Sequence, residues 1–84
     1  MKIIKNYASV EHDVLKYIEK THSIILNKDE LSEISFNAIG MDSLDTAELI
    51  LFIEEKYNID LEDQEVFHMK TIRNFIDHIY NKLK

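Results

Sequence analysis

Apolar residues recur three and four positions apart in three segments of the chain, which is the pattern of a helix with one buried face. The first helix is predicted over residues 9–22 with Ser9 as its N-cap, and the second over residues 43–57. The last helix is predicted to follow a Thr71 cap. The predicted buried faces are, in chain order, Val10, Val14, Tyr17, Ile18 and Thr21; Leu49, Ile50, Ile53 and Tyr57; and Ile72, Phe75, Ile76, Ile79 and Leu83.

The segments between these helices have no steady apolar period. Residues 23–42 form a long first loop, and we expect Phe36 and Ile39 to hold it against the core, because so long a loop is uncommon in a small domain. Residues 62–68 allow at most one short helix. Since no strand pattern is present, the fold class is predicted to be all-α, a four-helix bundle of three longer helices and one short helix.

Length and composition limit this bundle to one domain. The chain has 84 residues, of which 45% are hydrophobic and 31% charged, so residues 1–84 are expected to be a single domain with residues 1–8 as an N-terminal extension. A core of this size leaves no room for a deep catalytic cleft. No apolar run nears the roughly 20 residues that span a bilayer, and residues 1–6 do not resemble a signal peptide. We therefore expect a cytoplasmic protein without membrane insertion.

The charge of the chain favours protein partners over nucleic acid. Sixteen acidic residues against ten basic ones give a net charge of −6, which repels nucleic acid and anionic membranes and attracts basic protein surfaces. Cysteine is absent, so any thiol chemistry has to come from an added group. The four histidines form no helical pair at a metal-ligating spacing, so no metal site is expected.

The second predicted helix carries another apolar strip beside its core face. Leu44, Ala47 and Leu51 lie on this side. The acidic residues interleaved with them are Asp45, Glu48, Glu54 and Glu55. One interpretation is that the helix is buried on two sides. The other is an exposed docking surface, in which the leucines provide apolar contact and the carboxylates orient a basic partner.

The start of this helix, residues 40–45 with the sequence GMDSLD, contains the only glycine of the chain. Gly40 is suited to a positive φ that turns the chain into the helix, and Asp42 or Ser43 is suited to cap it. The positive end of a helix dipole also favours phosphate, so a phosphodiester on Ser43 would lie in a favourable field. A Ser-His-Asp hydrolase would need a far larger scaffold, and we therefore do not expect an enzyme.

These residues resemble the acyl carrier protein family. The resemblance rests on GMDSLDTAEL at residues 40–49 and IEEKY at residues 53–57, and it extends in helix order over about residues 9–83. It implies a free-standing carrier in which Ser43, between Asp42 and Leu44, accepts 4′-phosphopantetheine from coenzyme A through a separate phosphopantetheinyl transferase. The terminal thiol of that group would hold acyl intermediates as thioesters.

The resemblance also implies partners that bind the acidic second helix, namely acyl-transferring and synthase enzymes with basic docking patches. The residues expected to contact them are Asp45, Ala47, Glu48, Leu51, Glu54 and Glu55. The pathway stays open between fatty-acid, polyketide and related lipid biosynthesis, and an aminoacyl carrier is an alternative. A further alternative is an acidic helical adaptor that binds a basic protein without covalent modification. The carrier is expected to be a monomer.

Overall fold

The computed structural model describes residues 6–84, which fold into four α-helices. The helices are α1, Tyr7–His22; α2, Ser43–Tyr57; α3, Asp63–Phe67; and α4, Ile72–Leu83. Two 3₁₀ turns, Lys28–Glu30 and Asn37–Ile39, lie in the long loop between α1 and α2. Within the described residues there is no strand, and the predicted all-α bundle of three longer helices and one short helix is confirmed.

The structure corrects the predicted start of α1. Asn6, and not Ser9, is the N-cap: Asn6 Oδ1 accepts a hydrogen bond from Ser9 N at 2.8 Å, and Ser9 Oγ accepts one from Asn6 N at 3.3 Å. This reciprocal capping box satisfies two backbone donors and starts the helix at Tyr7. Tyr7 and Ala8 therefore belong to α1 and not to the predicted extension, whose residues 1–5 lie outside the described part of the chain.

The core lies between α1, α2 and α4, with α3 packed on α2. All four predicted core residues of α2 are buried, as are the first four of α4 and most of the predicted face of α1. Thr21 is an error of the prediction, because it is exposed and its Oγ1 donates to Tyr17 O at 2.8 Å. Tyr17 and Leu83 are only partly buried, whereas Leu15, outside the predicted face, is buried.

Backbone hydrogen bonds hold the long first loop against the start of α4. The Ile72 N–H donates to Ile34 O at 2.9 Å, and the Arg73 N–H donates to Leu31 O at 3.0 Å. Loop carbonyls thus pair with donors that the N-terminus of a helix leaves unpaired. The side chain of Thr71 caps the same end by accepting a hydrogen bond from Asn74 N at 3.1 Å, as predicted.

Side chains of the same loop reach into the core. Phe36 is buried, as predicted, and packs edge-to-face on Phe75 with 5.5 Å between the ring centroids. Ile39 was also expected to be buried but is only partly so. Leu31 and Met41 fill the core instead, with 0% and 1% of their surfaces exposed. The loop is therefore a folded part of the domain.

Arg73 joins α4 to α1 and to the loop. Its Nη1 lies 2.6 Å from Glu11 Oε2 and donates to Tyr7 Oη at 2.9 Å, while its Nη2 donates to Lys28 O at 3.0 Å. Glu11 is only 8% exposed, so the guanidinium compensates a carboxylate that has lost most of its water. This contact was not predicted.

Tyr57 connects the C-terminal end of α2 to α1. Its hydroxyl donates to a carboxylate oxygen of Asp13, whose other oxygen lies 3.1 Å from Lys56 Nζ. Burial, and next the hydrogen bond to Asp13, raise the pKa of Tyr57 to about 12. The neutral phenol is therefore the form that the fold stabilises.

We expect the free energy of unfolding to decrease as the pH rises from about 10 to about 12. The unfolded chain releases the Tyr57 proton near its ordinary pKa of about 10, while the folded chain holds it up to about pH 12. The stability that the neutral phenol contributes is therefore fully present below about pH 10 and is lost as the pH rises to about 12. Thermal unfolding followed by circular dichroism across this range should show a shallower decrease for Tyr57→Phe than for the wild type. An unchanged slope in Tyr57→Phe, or an equal change in the control Tyr80→Phe, would contradict the assignment.

Candidate functional site

The end of the long loop fixes where α2 begins. Gly40 has φ +86°, its N–H donates to Asn37 O at 3.0 Å, and the Met41 N–H donates to Phe36 O at 3.0 Å. These two bonds form a Schellman motif, in which glycine adopts the left-handed conformation without a side-chain penalty. The predicted positive φ is confirmed. Met41 is buried in the core, and the next residue, Asp42, lies at the surface directly before the first residue of α2.

Asp42 is the N-cap of α2. Its Oδ1 accepts a hydrogen bond from Asp45 N at 2.9 Å, and Asp45 Oδ2 accepts one from Asp42 N at 3.2 Å. The bond from the Asp45 N–H is the main cause that lowers the pKa of the Asp42 carboxyl, so the cap stays ionised at neutral pH. Of the two candidate caps, the structure uses Asp42, and the Ser43 side chain is left out of the capping.

Ser43 is the first residue of α2 and is exposed. Its hydroxyl makes no hydrogen bond with any residue in the described range 6–84. Backbone N–H groups and the helix dipole make this end of α2 electropositive, and the Asp42 and Asp45 carboxylates offset part of that field. The Ser43 hydroxyl is therefore accessible to another molecule. Within residues 6–84, no side chain is hydrogen-bonded to this hydroxyl as a general base.

A groove of about 190 Å³ opens beside Ser43, between the loop, α2 and α3. Its polar side chains are Ser35, Asn37, Asp42 and Thr46, and its apolar ones are Phe36, Val66, Phe67 and Met69. Phe67 is 45% exposed, and it was missed by the sequence analysis. The overlooked signal was a second large apolar residue, Phe67, directly after Val66 in a short and otherwise polar helix, of which only Val66 is buried.

The second apolar strip of α2 is exposed. Leu44 and Leu51 are 67% and 54% exposed, Glu48 and Glu55 are exposed as well, and Ala47 is half-buried. The interpretation that α2 is buried on two sides is therefore wrong. Apolar and acidic side chains alternate along one face of the helix.

Two of the acids assigned to partner binding also have structural contacts. The Asp45 carboxylate belongs to the capping box, and Glu54 Oε2 accepts a hydrogen bond from Leu61 N at 2.9 Å, which ties the segment before α3 to α2. Replacing either residue would change the fold as well as the surface charge. Glu48 and Glu55 have no such contact in the described part of the chain.

Residues 6–84 contain neither a cluster of metal-binding side chains nor a helix suited to span a membrane. No group of three or more histidine or carboxylate side chains in this range is arranged to hold a metal ion. None of the helices in the same range has the length and apolar character needed to cross a bilayer.

Similarity to known proteins identifies the family. The family model described as "Phosphopantetheine attachment site" matches residues 14–79. The acyl carrier protein of Buchnera aphidicola subsp. Schizaphis graminum is 38% identical over 77 residues, which cover 90% of this chain and 96% of the relative. The chain belongs to the acyl carrier protein family.

Other acyl carrier proteins match over shorter parts of their length. The mitochondrial acyl carrier protein of Saccharomyces cerevisiae is 35% identical over 68 residues, which cover 80% of this chain and 54% of the relative. That of Buchnera aphidicola subsp. Acyrthosiphon pisum is 46% identical over 44 residues, 52% of this chain and 55% of the relative. The chain therefore spans about half the length of these two relatives. No solved structure shows significant similarity to it.

As an acyl carrier protein, the chain bears covalently attached 4′-phosphopantetheine and serves other enzymes as a carrier, without being a catalyst itself. When bound, the group supplies the thiol that this cysteine-free chain lacks. The start of α2 fits such a group, because an exposed serine hydroxyl there meets the positive end of a helix and a groove with both polar and apolar walls.

Proposed function

We propose that Ser43 is the residue that carries 4′-phosphopantetheine, and that the chain delivers acyl groups to enzymes of fatty-acid, polyketide or related lipid biosynthesis. The observation that supports this most directly is the exposed, unbonded Ser43 hydroxyl at the N-terminus of α2. Ser35 lines the same groove, but its Oγ accepts a hydrogen bond from Ala38 N at 3.1 Å. Ser43 is thus the better acceptor of the two.

The neighbours of Ser43 take separate roles in this proposal. Asp42 holds the first turn of α2, and so fixes the direction in which the Ser43 hydroxyl faces solvent. Leu44 is 67% exposed and offers an apolar contact to the phosphopantetheinyl transferase directly beside the acceptor. The transferase, and not this chain, supplies the base that activates the hydroxyl.

Intact-protein mass spectrometry tests the acceptor. The unmodified chain is incubated with coenzyme A and a broad-specificity phosphopantetheinyl transferase, and we expect a single adduct of the phosphopantetheine mass. Ser43→Ala should remove the adduct completely, because no other hydroxyl has the same position at the start of α2.

Ser35→Ala is the matched control, since it removes a hydroxyl from the same groove. It should be modified as fast as the wild type. An adduct that persists in Ser43→Ala would overturn the assignment. A wild-type chain that stays unmodified, while a control carrier is converted, would favour the acidic adaptor that binds a basic partner without covalent modification.

The proposed docking surface is the face of α2 made of Leu44, Ala47, Glu48, Leu51 and Glu55. Its partners are the transferase and the acyl-transferring and synthase enzymes, which would present basic patches. The leucines give apolar burial at the centre of the contact, and the carboxylates select basic surfaces and speed encounter. Asp45 and Glu54 border this face and contribute charge in addition to their structural contacts.

We also propose that the carrier acts as a cytoplasmic monomer. The net charge of −6 opposes association of two copies. One relative matched over 96% of its length is named without an organelle, while the yeast relative is named as mitochondrial. Sedimentation of the purified chain tests the monomeric state, and fractionation of the source cells tests the cytoplasmic location.

A further inference from the structure

A second groove, of about 520 Å³, lies between α1 and α2 on a different part of the surface from Ser43. The two helices run antiparallel here, because the C-terminal end of α2 contacts the middle of α1 while its N-terminal end lies near Thr21. The floor is formed by Tyr17 of α1 and Phe52 of α2, which are stacked with 4.8 Å between their ring centroids. Both rings are only partly buried, so apolar surface remains open to solvent.

The rim of this groove is basic, on a chain with a net charge of −6. Lys16 and Lys20 lie one turn apart on α1, and Lys56 extends from α2 with its Nζ 5.8 Å from the centroid of the Phe52 ring. Lys56 is paired with Asp13 at 3.1 Å, whereas Lys16 and Lys20 are exposed and form no ion pair within residues 6–84. His12 also lines the groove. A local excess of cations thus surrounds an aromatic floor.

We propose that this groove is a second docking surface, which binds an acidic amphipathic helix of a partner protein. A channel between two antiparallel helices suits a third helix, whose apolar residues would cover Tyr17 and Phe52. Carboxylates on the flanks of that helix would meet Lys16, Lys20 and Lys56. The rim of this groove is positively charged, whereas the proposed docking face around Leu44 and Leu51 is negatively charged. The two surfaces therefore select different partners.

The neighbouring charges disfavour other occupants. Asp45 and Glu48 lie at one end of the groove, in a cleft that they share with Tyr17 and Thr21. A flat anionic membrane would press these carboxylates against lipid phosphates, which opposes membrane binding at this groove. A second copy of this chain would bring together two proteins that each carry a charge of −6.

The test uses a synthetic helical peptide of about 18 residues with leucine and phenylalanine on one face and glutamate on the other, a length that spans about 27 Å as a helix. It is titrated into the ¹⁵N-labelled full chain, with and without phosphopantetheine, at low ionic strength. We expect chemical-shift changes centred on Tyr17, Lys20 and Phe52, and weaker binding as salt is added. The double variant Lys16→Glu/Lys20→Glu should weaken binding about tenfold or more.

The matched control is Lys82→Glu/Lys84→Glu, which makes the same charge change at the C-terminal end of α4 and should alter affinity less than about twofold. A scrambled peptide of identical composition should bind more weakly, because its apolar and acidic residues share no face. The proposal is overturned if the peptide does not bind, if the shifts centre on Leu44 and Leu51, or if both double variants weaken binding equally. It is also overturned if anionic vesicles or increasing protein concentration alone shift the same residues and the peptide does not.

The result is separable from the proposed attachment site. Ser43→Ala should bind the peptide like the wild type, since the groove between α1 and α2 does not include Ser43. A failed attachment assay with normal peptide binding, or the reverse, would then identify which of the two proposals is wrong.

Discussion

Replacing Arg73 by alanine should lower the melting temperature of the carrier by about 10 °C. The guanidinium pairs with Glu11, which is only 8% exposed, and it also donates to the Tyr7 hydroxyl and to the Lys28 carbonyl. Removing it leaves a largely buried carboxylate whose remaining ion-pair partner within residues 6–84 is the exposed Lys28 amine, at 3.6 Å. We expect a loss of about 2 kcal/mol in the free energy of unfolding, which corresponds to about 10 °C for a domain of this size.

Thermal unfolding followed by circular dichroism at neutral pH measures this loss. Lys82→Ala, on the exposed end of the same helix, is the control and should change the melting temperature by no more than about 3 °C. Arg73→Lys keeps the charge but loses the fork of donors, so its melting temperature should fall between the two. If Arg73→Ala lowered the melting temperature by less than about 3 °C, α1, α4 and the loop would be held together without this contact.

Reversing the charge of Glu48 should weaken docking about tenfold, with little effect on stability. Glu48 is exposed at the middle of the α2 face and has no hydrogen bond or ion pair within residues 6–84. A lysine there would repel the basic patch of an approaching enzyme. A tenfold lower kcat/KM for the phosphopantetheinyl transferase corresponds to about 1.4 kcal/mol. The free energy of unfolding should move by less than about 0.5 kcal/mol, as for other surface substitutions.

Glu33→Lys is the matched control for this substitution, because Glu33 is an exposed acid that belongs to the loop and not to α2. It should leave kcat/KM within about twofold of the wild type. The defect of Glu48→Lys should also shrink as ionic strength rises. Equal losses in Glu48→Lys and Glu33→Lys would mean that only the net charge matters, and equal losses of activity and stability would make Glu48 a structural residue.

The helices were predictable wherever local chemistry determines them. α2 and α4 begin and end close to the predicted residues, since regular apolar spacing and a cap act within a few positions of each other. The start of α1 was misjudged because Ser9 was taken for the cap, although Asn6-Tyr7-Ala8-Ser9 has the same spacing as Asp42-Ser43-Leu44-Asp45. Both four-residue stretches form reciprocal capping boxes, and that repeated spacing was the overlooked signal.

The loop and the ion pair were not predictable in the same way. Leu31 and Met41 are buried through contacts with distant helices, and the loop has no period that distinguishes them from Ile39. Glu11 and Arg73 are 62 positions apart in sequence, so nothing local indicates that they meet. Such features depend on how the helices are arranged in three dimensions, which sequence spacing does not determine.

The candidate site was predictable in its centre and less so at its edges. Gly40 and the start of α2 at Ser43 follow from the sequence, because a left-handed turn and a helix start are local events. Phe67 comes to the Ser43 groove only because α3 packs on α2. The contact between Glu54 and the Leu61 N–H likewise depends on the path of the chain after α2, so its structural role was not visible in advance.

Locating the modification on the chain tests the attachment of phosphopantetheine to Ser43 most directly. Cleavage of the modified protein after lysine releases residues 29–56, which contain Ser32, Ser35, Ser43 and Thr46. Electron-based fragmentation of this peptide breaks the backbone and leaves the phosphodiester intact. The added mass should be absent from every N-terminal fragment that ends at or before Asp42 and present in every one that includes Ser43. Added mass on a fragment that ends before Ser43, or only on fragments that reach Thr46, would contradict the account.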